Sequence, residues 1–376
     1  MTLRGILSLI AFLPFMVVYS IILAPLQTLF AYVQYELVSK GEARSESDGW
    51  QSGYFSHVGL LGDFAQRLVR IQWSLNIVEN AATARWLFDV VGGLRVVDSE
   101  AIDSENGIWI GDSSQVDAHV VLYFHGGGFV MGSPAFSIRN TRATIDAYKE
   151  KTGKHLVYFI MKYPLCPEAS FGDILSTGID GYKLLLEQGF TTISLAGDSA
   201  GGNLVLNITS ILSKEYPKVI QPVSGIAYYP WVDPHVTVLP SNYPNGSAAH
   251  HDILPLSGSR FLAATASKTA STQNAHRFSP LIWNKDELAS CVPSKDGLLV
   301  LYGGGDILSG GIDLFVDKLQ QAVEGGEKKV IKKRYPYMPH IFDTLFLMLP
   351  FGPAKKAAVD AVNQTALFLS SSTKEI

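Results

Sequence analysis

The stretch Gly197-Asp198-Ser199-Ala200-Gly201 decides the fold of this chain. It closes the β-branched and apolar run of residues 191–196, and a helical pattern follows it. A serine between small residues at such a junction is typical of a nucleophile elbow, a strand-to-helix turn that exposes the serine Oγ at a helix N-terminus. The turn leaves no room for side chains beside the serine, so its neighbours must be small. The motif therefore predicts that Ser199 is a nucleophile.

A glycine loop, His125-Gly126-Gly127-Gly128, directly follows the strand pattern of residues 120–124. Backbone N–H groups bind an oxyanion best where no Cβ blocks the approach. A loop of this kind upstream of a serine elbow is found in lipases and esterases. The loop therefore predicts an oxyanion cradle for acyl transfer.

An acid and a histidine follow the serine in the order that a serine triad of this type requires. Asp306 ends the strand pattern of residues 297–302, and His340 lies in a loop after a strand pattern that begins at Val330. In such a triad, His340 accepts the serine proton while the acid fixes the imidazole tautomer. Asp313 and Asp343 remain less well placed alternatives to Asp306.

These motifs together resemble the hormone-sensitive lipase family of α/β-hydrolases. The resemblance spans about residues 115–370 and implies a Ser199-Asp306-His340 carboxylesterase. It also implies that the N–H groups of Gly126, Gly127 and Ala200 form the oxyanion hole. The chain departs from the family pattern in two places, with Pro164 and Cys166 inside the segment 163–168, and with Gly310 where the family has a second acid.

Alternating strand and helix patterns predict an α/β fold, with a mostly parallel sheet and helices on both faces. The resemblance implies an eight-stranded sheet of the α/β-hydrolase type with a helical cap. We expect cap helices over residues 37–92 and a catalytic domain over residues 93–376. Residues 233–290 form a long insertion between two core strands, and we assign them to a second part of the cap.

The N-terminus carries a long uncharged and apolar run from Gly5 to Tyr35. A helix of ~20 apolar residues crosses a bilayer, whereas a cleaved signal has an apolar region of only ~7–15 residues. We therefore predict a membrane anchor over residues 1–36, with Pro14 and Pro25 as tolerated kinks. A re-entrant hairpin and a buried core segment are the alternatives.

The charges flanking this run do not determine the orientation of the anchor. The layout resembles the arylacetamide deacetylases and the fungal steryl acetyl hydrolases, which implies an endoplasmic-reticulum anchor and a lumenal catalytic domain. Glycosylation sequons begin at Asn245 and Asn363, in accord with a lumenal domain. A third sequon, at Asn207, lies on the helix after the elbow, where we expect it to be sheltered.

The composition of the chain limits the classes of partner, metal and cofactor that we expect it to bind. The net charge is −4 and basic residues form only short clusters, so nucleic acid is not an expected partner. The two cysteines exclude a disulfide scaffold and a cysteine zinc site, although one bridge between Cys166 and Cys291 remains open. His250-His251-Asp252 lacks a further ligand cluster, so no metal is expected. No cofactor motif stands out, and we expect none.

The sequence predicts hydrolysis of a lipophilic small-molecule ester, and the resemblance favours acetyl esters such as sterol acetates. A deacetylase of aryl amides or of secondary metabolites is the alternative enzyme, because the motifs do not separate esters from amides. A non-catalytic receptor is the third hypothesis. The plant gibberellin receptors resemble this family but lack the triad histidine, whereas this chain retains His340.

Overall fold

The computed structural model describes residues 54, 56–59, 62–64, 66, 67, 101–115, 117–241, 243, 249, 252–271 and 274–371. The predicted anchor (1–36) lies outside these residues, as does most of the predicted cap segment 37–92. The described residues between 54 and 67 are helical. Among the described residues, no helix is both long and apolar enough to span a bilayer.

In the part of the chain that the structure describes, eight strands form one sheet in the order β1-β2-β4-β3-β5-β6-β7-β8. The strands β3 to β8 pair in parallel, and β1 and β2 add an antiparallel edge. The predicted mostly parallel eight-stranded sheet is confirmed. The strand bounds are β1 Ile102–Asp103, β2 Gly107–Ile110, β3 His119–Phe124, β4 Leu156–Met161, β5 Ile193–Asp198, β6 Gly225–Tyr228, β7 Leu298–Gly303 and β8 Val330–Tyr335.

The central strands are buried along their whole length because helices cover the sheet on both faces. Every residue of β3, β4, β5 and β7 is buried, and successive side chains of a strand point to opposite faces. Continuous apolar strands of this kind are typical of a parallel sheet between helical layers. From residue 101 onward, the α-helices of the described residues are α1 Ile138–Thr152, α2 Phe171–Glu187, α3 Ala200–Glu215, α4 Leu256–Ser267, α5 Ala275–Phe278, α6 Lys285–Ser290, α7 Ser309–Val323, α8 Phe342–Leu345 and α9 Pro353–Ser371.

The helices α4, α5 and α6 all lie within the insertion predicted over residues 233–290. Helix α6 packs against α3 and α7, so the end of the insertion is part of the α/β body. Helix α4 approaches the glycine loop instead, since a Cβ on Gly128 would lie 2.7 Å from Leu262 Cδ1. The division of the chain into cap and catalytic domains stays a prediction.

Two sequons have buried atoms in the fold. Asn207 is fully buried on α3, and its Nδ2 donates to the carbonyl oxygen of Arg277 at 3.0 Å, which agrees with the expectation of a sheltered site. Thr365, the hydroxyl residue of the Asn363 sequon, is also buried and pairs with the Tyr228 hydroxyl at 2.9 Å. The Asn245 sequon lies outside the described residues.

Candidate active site

The serine turn has the strained backbone expected of a nucleophile elbow. Ser199 has φ 55° and ψ −114° and joins β5 to α3. A non-glycine residue in such a conformation costs on the order of 1–3 kcal/mol, so its surroundings must hold it. The Ser199 N–H donates to the Tyr228 carbonyl at 2.9 Å, and the Ser199 carbonyl accepts from Trp231 N at 2.9 Å. The end of β6 and the residues just after it therefore fix the turn from both sides.

The glycines of the motif are required by close backbone contacts. A Cβ on Gly201 would collide with the Phe124 carbonyl oxygen, and a Cβ on Gly197 would collide with the backbone of Gly201. The strand β3, the serine turn and the start of α3 thus meet without intervening side chains. This close approach places the glycine loop after β3 beside Ser199.

The structure brings the three predicted residues Ser199, His340 and Asp306 into one hydrogen-bonded series. His340 Nε2 lies 3.0 Å from Ser199 Oγ, and His340 Nδ1 lies 2.8 Å from Asp306 Oδ2. All three are buried. Asp306 follows β7 and His340 follows β8, and both strands run parallel to β5. The three residues meet because the carboxyl ends of parallel strands share one edge of the sheet.

Two opposing effects act on the pKa of His340. Burial disfavours the imidazolium, but the Asp306 carboxylate beside it stabilises that cation, and Asp252 and Asp198 add to its effect. The net result raises the pKa of His340 above its ordinary value. The other oxygen of Asp306 accepts from the Leu308 N–H at 2.8 Å, which fixes the orientation of the carboxylate.

The two alternative acids contact other groups. Asp313 on α7 forms an ion pair with Lys332 at 2.7 Å and accepts from the Tyr302 hydroxyl. Asp343 accepts from the Tyr229 hydroxyl at 2.9 Å. Tyr229 in turn packs edge-on against the His340 ring, with 4.8 Å between ring centroids. Asp343 therefore acts on the site through Tyr229, and Asp306 is the acid that contacts the imidazole.

The glycine loop differs from its predicted arrangement at Gly126. The Gly126 N–H donates to Asp198 Oδ1 at 2.9 Å, and the Tyr123 hydroxyl donates to the same oxygen at 2.9 Å. A single N–H that is held by a buried carboxylate is not free for an oxyanion, so this geometry argues against Gly126 as a donor. The residue must still be glycine, because a Cβ there would collide with the Asp198 carboxylate.

The amides of Gly127 and Ala200 are better placed for an anion. Within the described part of the chain, neither donates a hydrogen bond. Gly127 has φ 116°, and a Cβ there would collide with the Met131 backbone. The loop is further fixed by Tyr163, whose hydroxyl donates to the His125 carbonyl at 2.5 Å and whose ring stacks on the imidazole of His125.

A buried carboxylate that the sequence analysis did not assign to the site lies beside the triad. Asp252 Oδ1 accepts from the His340 N–H at 2.8 Å, and Oδ2 accepts from the Ile307 N–H at 2.7 Å. It was considered above only as part of a metal motif. Among the described residues no group of three potential metal ligands exists, and His250 and His251 lie outside them. No signal in the sequence connects Asp252 to residues 307 and 340.

The structure gives a steric reason for the glycine at position 310, one of the departures from the family pattern. A Cβ on Gly310 would lie 2.5 Å from the Leu239 carbonyl oxygen, so the backbone of the insertion fills the space of the missing acid. Cys166 and Cys291 are both buried and form no disulfide with each other. The Cys166 Sγ lies 3.2 Å from the Thr269 hydroxyl, whereas the Cys291 Sγ lies 3.1 Å from the Leu288 carbonyl oxygen, so the two thiols occupy different parts of the core.

Comparisons with known proteins agree with the observed fold. A family model described as the alpha/beta hydrolase fold matches residues 121–344. An esterase of the bacterial hormone-sensitive lipase family has a similar fold, with a TM-score of 0.64 and 23% identity over 82% of this chain and 97% of its own. The predicted resemblance is thereby confirmed at the level of fold.

Two curated relatives are similar over shorter stretches. An acetyl-hydrolase of Streptomyces hygroscopicus is 29% identical over 33% of this chain and 40% of its own length. A carboxylesterase/phospholipase of Mycobacterium tuberculosis, LipF, is 28% identical over 68% of this chain and 63% of its own length. The matched part of the chain spans less than two thirds of either relative.

Replacing Asp306 by asparagine should lower the pKa of His340. The amide would keep the shape of the acid but remove its charge, and burial would then oppose the imidazolium with less compensation. The titration of His340, followed by NMR on histidine-labelled protein, should move to lower pH than in the wild type. Asp313→Asn is the matched control, because Asp313 pairs with Lys332. An equal shift in both variants would contradict the assignment of Asp306.

Proposed function

Because the chain belongs to the α/β-hydrolase fold family, we propose that it is a serine hydrolase that cleaves carboxylic ester bonds through an acyl-enzyme. One observation carries the proposal. The Ser199 hydroxyl, the His340 ring and the Asp306 carboxylate follow one another at 3.0 and 2.8 Å beside a glycine loop. This is the geometry in which a histidine activates a serine and a carboxylate orients the histidine.

In the proposed reaction, His340 Nε2 takes the proton of Ser199 as the oxygen attacks the ester carbonyl. The N–H groups of Gly127 and Ala200 donate to the oxyanion of the tetrahedral intermediate. The C–O bond to the alcohol breaks, and the alcohol leaves with the proton from His340. Water then attacks the acyl carbonyl while His340 takes a proton from it. The C–O bond to Ser199 breaks as His340 returns that proton to Ser199 Oγ, which releases the carboxylic acid and restores the enzyme.

Replacing Ser199 by alanine should abolish covalent labelling by a fluorophosphonate probe and hydrolysis of p-nitrophenyl acetate. The probe requires a serine oxygen that an adjacent base activates, which Ser199 alone is proposed to supply. Labelling is read by gel fluorescence on protein whose folding is checked by circular dichroism. Ser213→Ala, at the far end of α3, should label like the wild type. A folded Ser199→Ala protein that still labels would refute the nucleophile assignment.

For the substrate, we propose a lipophilic acetyl ester, of which a sterol acetate is an example. A buried aromatic cluster borders the nucleophile turn and the glycine loop, with ring centroids of Phe129 and Trp231 5.8 Å apart and those of Trp231 and Phe278 5.9 Å apart. Leu262 of α4 lies over Gly128 on the glycine loop. An apolar surrounding favours apolar substrates, and one relative is named an acetyl-hydrolase.

A panel of p-nitrophenyl esters with acyl chains of increasing length should show the highest kcat/KM for the acetate. A sterol acetate and an aryl acetamide, assayed beside the panel by product release, separate the ester from the amide hypothesis. Faster cleavage of long acyl chains would contradict the acetyl preference. Tight binding without any turnover in folded protein would support the receptor hypothesis.

We also propose that residues 1–36 anchor the protein in the endoplasmic-reticulum membrane with the catalytic domain in the lumen. The uncharged run from Gly5 to Tyr35 supports this proposal. The first described residues after that run in the sequence include His57. Its ring packs beside the histidine loop, with 5.2 Å between the ring centroids of His57 and Tyr337. An anchored protein would then meet substrates that are dissolved in the bilayer.

The anchor is tested by expression of the full chain in a eukaryotic host and by extraction of its microsomes with carbonate. The protein should stay in the membrane pellet, and endoglycosidase should increase its gel mobility. Asn245→Gln combined with Asn363→Gln should remove the glycosylation, whereas Asn207→Gln, at a buried residue of α3, should retain it. Release of the protein by carbonate would contradict the anchor, and absence of any glycan would argue against a lumenal domain.

A further inference from the structure

Asp252 joins the two loops that carry the acid and the histidine of the triad. Its two carboxylate oxygens accept the N–H of His340 at 2.8 Å and the N–H of Ile307 at 2.7 Å. Ile307 directly follows Asp306, so each hydrogen bond holds the backbone at or next to a triad residue. Asp252 is fully buried, and a backbone N–H that is buried without an acceptor destabilises the fold. Both loops therefore depend on this carboxylate.

The chemistry at this position selects a carboxylate over its nearest isostere. The two groups that are hydrogen-bonded to Asp252 are both N–H donors, and an ionised carboxylate offers acceptors on both oxygens. Asparagine would offer one acceptor oxygen and turn its own NH2 against the second N–H. Asp252 is nevertheless in an unfavourable place for a charge, because burial and the nearby Asp306 raise its pKa. The two backbone donors counteract this effect.

Asp252 belongs to the insertion between β6 and β7 and precedes α4 by four residues. The same insertion fills the space beside Gly310 with the backbone of residues 238 and 239. It also lays Leu262 against Gly128 in the glycine loop. The insertion thus contacts the acid loop, the histidine loop and the glycine loop, although each of these three loops follows a strand of the central sheet.

We propose that Asp252 is a positioning residue of the triad, which sets the spacing between the Asp306 and His340 loops and adds a second negative charge beside His340. This inference rests on the proposed function. In this role of Asp252, the insertion helps to align the triad in addition to covering the site. Among the described residues, the carboxylates that favour the His340 imidazolium are Asp306, Asp252 and Asp198, and the Tyr229 ring packs against the imidazole. Removal of Asp252 leaves these other groups in place.

The test compares Asp252→Asn with Asp233→Asn. Asp233 is a matched control because it is a buried carboxylate of the same insertion that accepts two backbone N–H groups, from Thr237 at 2.6 Å and Val238 at 2.9 Å. Asp252→Asn turns an NH2 group against one of its two N–H donors, whereas in Asp233→Asn the single amide oxygen can still accept both N–H groups, because both bind the same oxygen, Oδ2. Asp233→Asn therefore controls for the removal of a buried charge from the insertion, and Asp252→Asn should lower the melting temperature more. Only Asp252→Asn should lower the pKa of His340, by about half a unit or more in an NMR titration.

Kinetics supply the second measurement. In Asp252→Asn, kcat for p-nitrophenyl acetate should fall on the order of 10- to 100-fold with little change in KM, because a displaced histidine slows the chemical step. The acid limb of the kcat/KM profile should move to lower pH along with the His340 pKa. Asp233→Asn, normalised by active-site labelling, should keep both kcat and the acid limb. If Asp252→Asn does not fold, Asp252→Ser is measured in its place with the same expectations.

Two results would overturn the inference. One is a folded Asp252 variant with wild-type kcat and an unmoved His340 titration. The other is an Asp233→Asn protein that shifts the titration as much as the Asp252 variant does. The NMR titration needs no turnover, so a wild-type protein that fails to hydrolyse esters would count against the proposed function and leave this test intact.

Discussion

The strained turn at Ser199 is the constraint on which the rest of the site depends. A serine at φ 55° persists only if neighbouring groups hold it, and here the chain at the end of β6 binds both its N–H and its carbonyl. The backbones of β3 and α3 also meet at Gly201 without a side chain between them. Small residues at these positions allow the contact that places a hydroxyl, a glycine loop and a helix N-terminus together.

Buried carboxylates organise the polar groups around this turn. Asp198 holds the glycine loop through the Gly126 N–H, Asp252 holds the acid and histidine loops, and Asp343 holds Tyr229 against the imidazole. Burial raises the pKa of each of these three acids. Each nevertheless accepts hydrogen bonds from N–H or O–H groups. These hydrogen bonds offset the free-energy cost of burying a carboxyl group. The loops of the site are therefore fixed by polar contacts inside an apolar fold.

Two glycine positions illustrate how backbone contacts alter a site without touching the triad. The insertion approaches α7 so closely that only glycine fits at position 310, where the family has its second acid. The glycine loop approaches Asp198 so closely that only glycine fits at position 126, and the same contact occupies the amide that was expected to bind an oxyanion. In both places a glycine marks a close approach of two chain segments.

The sequence by itself determined the α/β fold, the strand-to-helix turn at Ser199 and the order of serine, acid and histidine. These features follow from local patterns, namely apolar runs that end in small or polar residues. Only the tertiary structure decided that Asp306, and neither Asp313 nor Asp343, contacts the imidazole, that Gly126 binds Asp198, and that Asp252 joins two distant loops. The reason is that each of these contacts pairs a carboxylate with a group that is distant along the chain. The partner is often a backbone N–H, which every non-proline residue carries, so the residue types in the sequence do not indicate the contact.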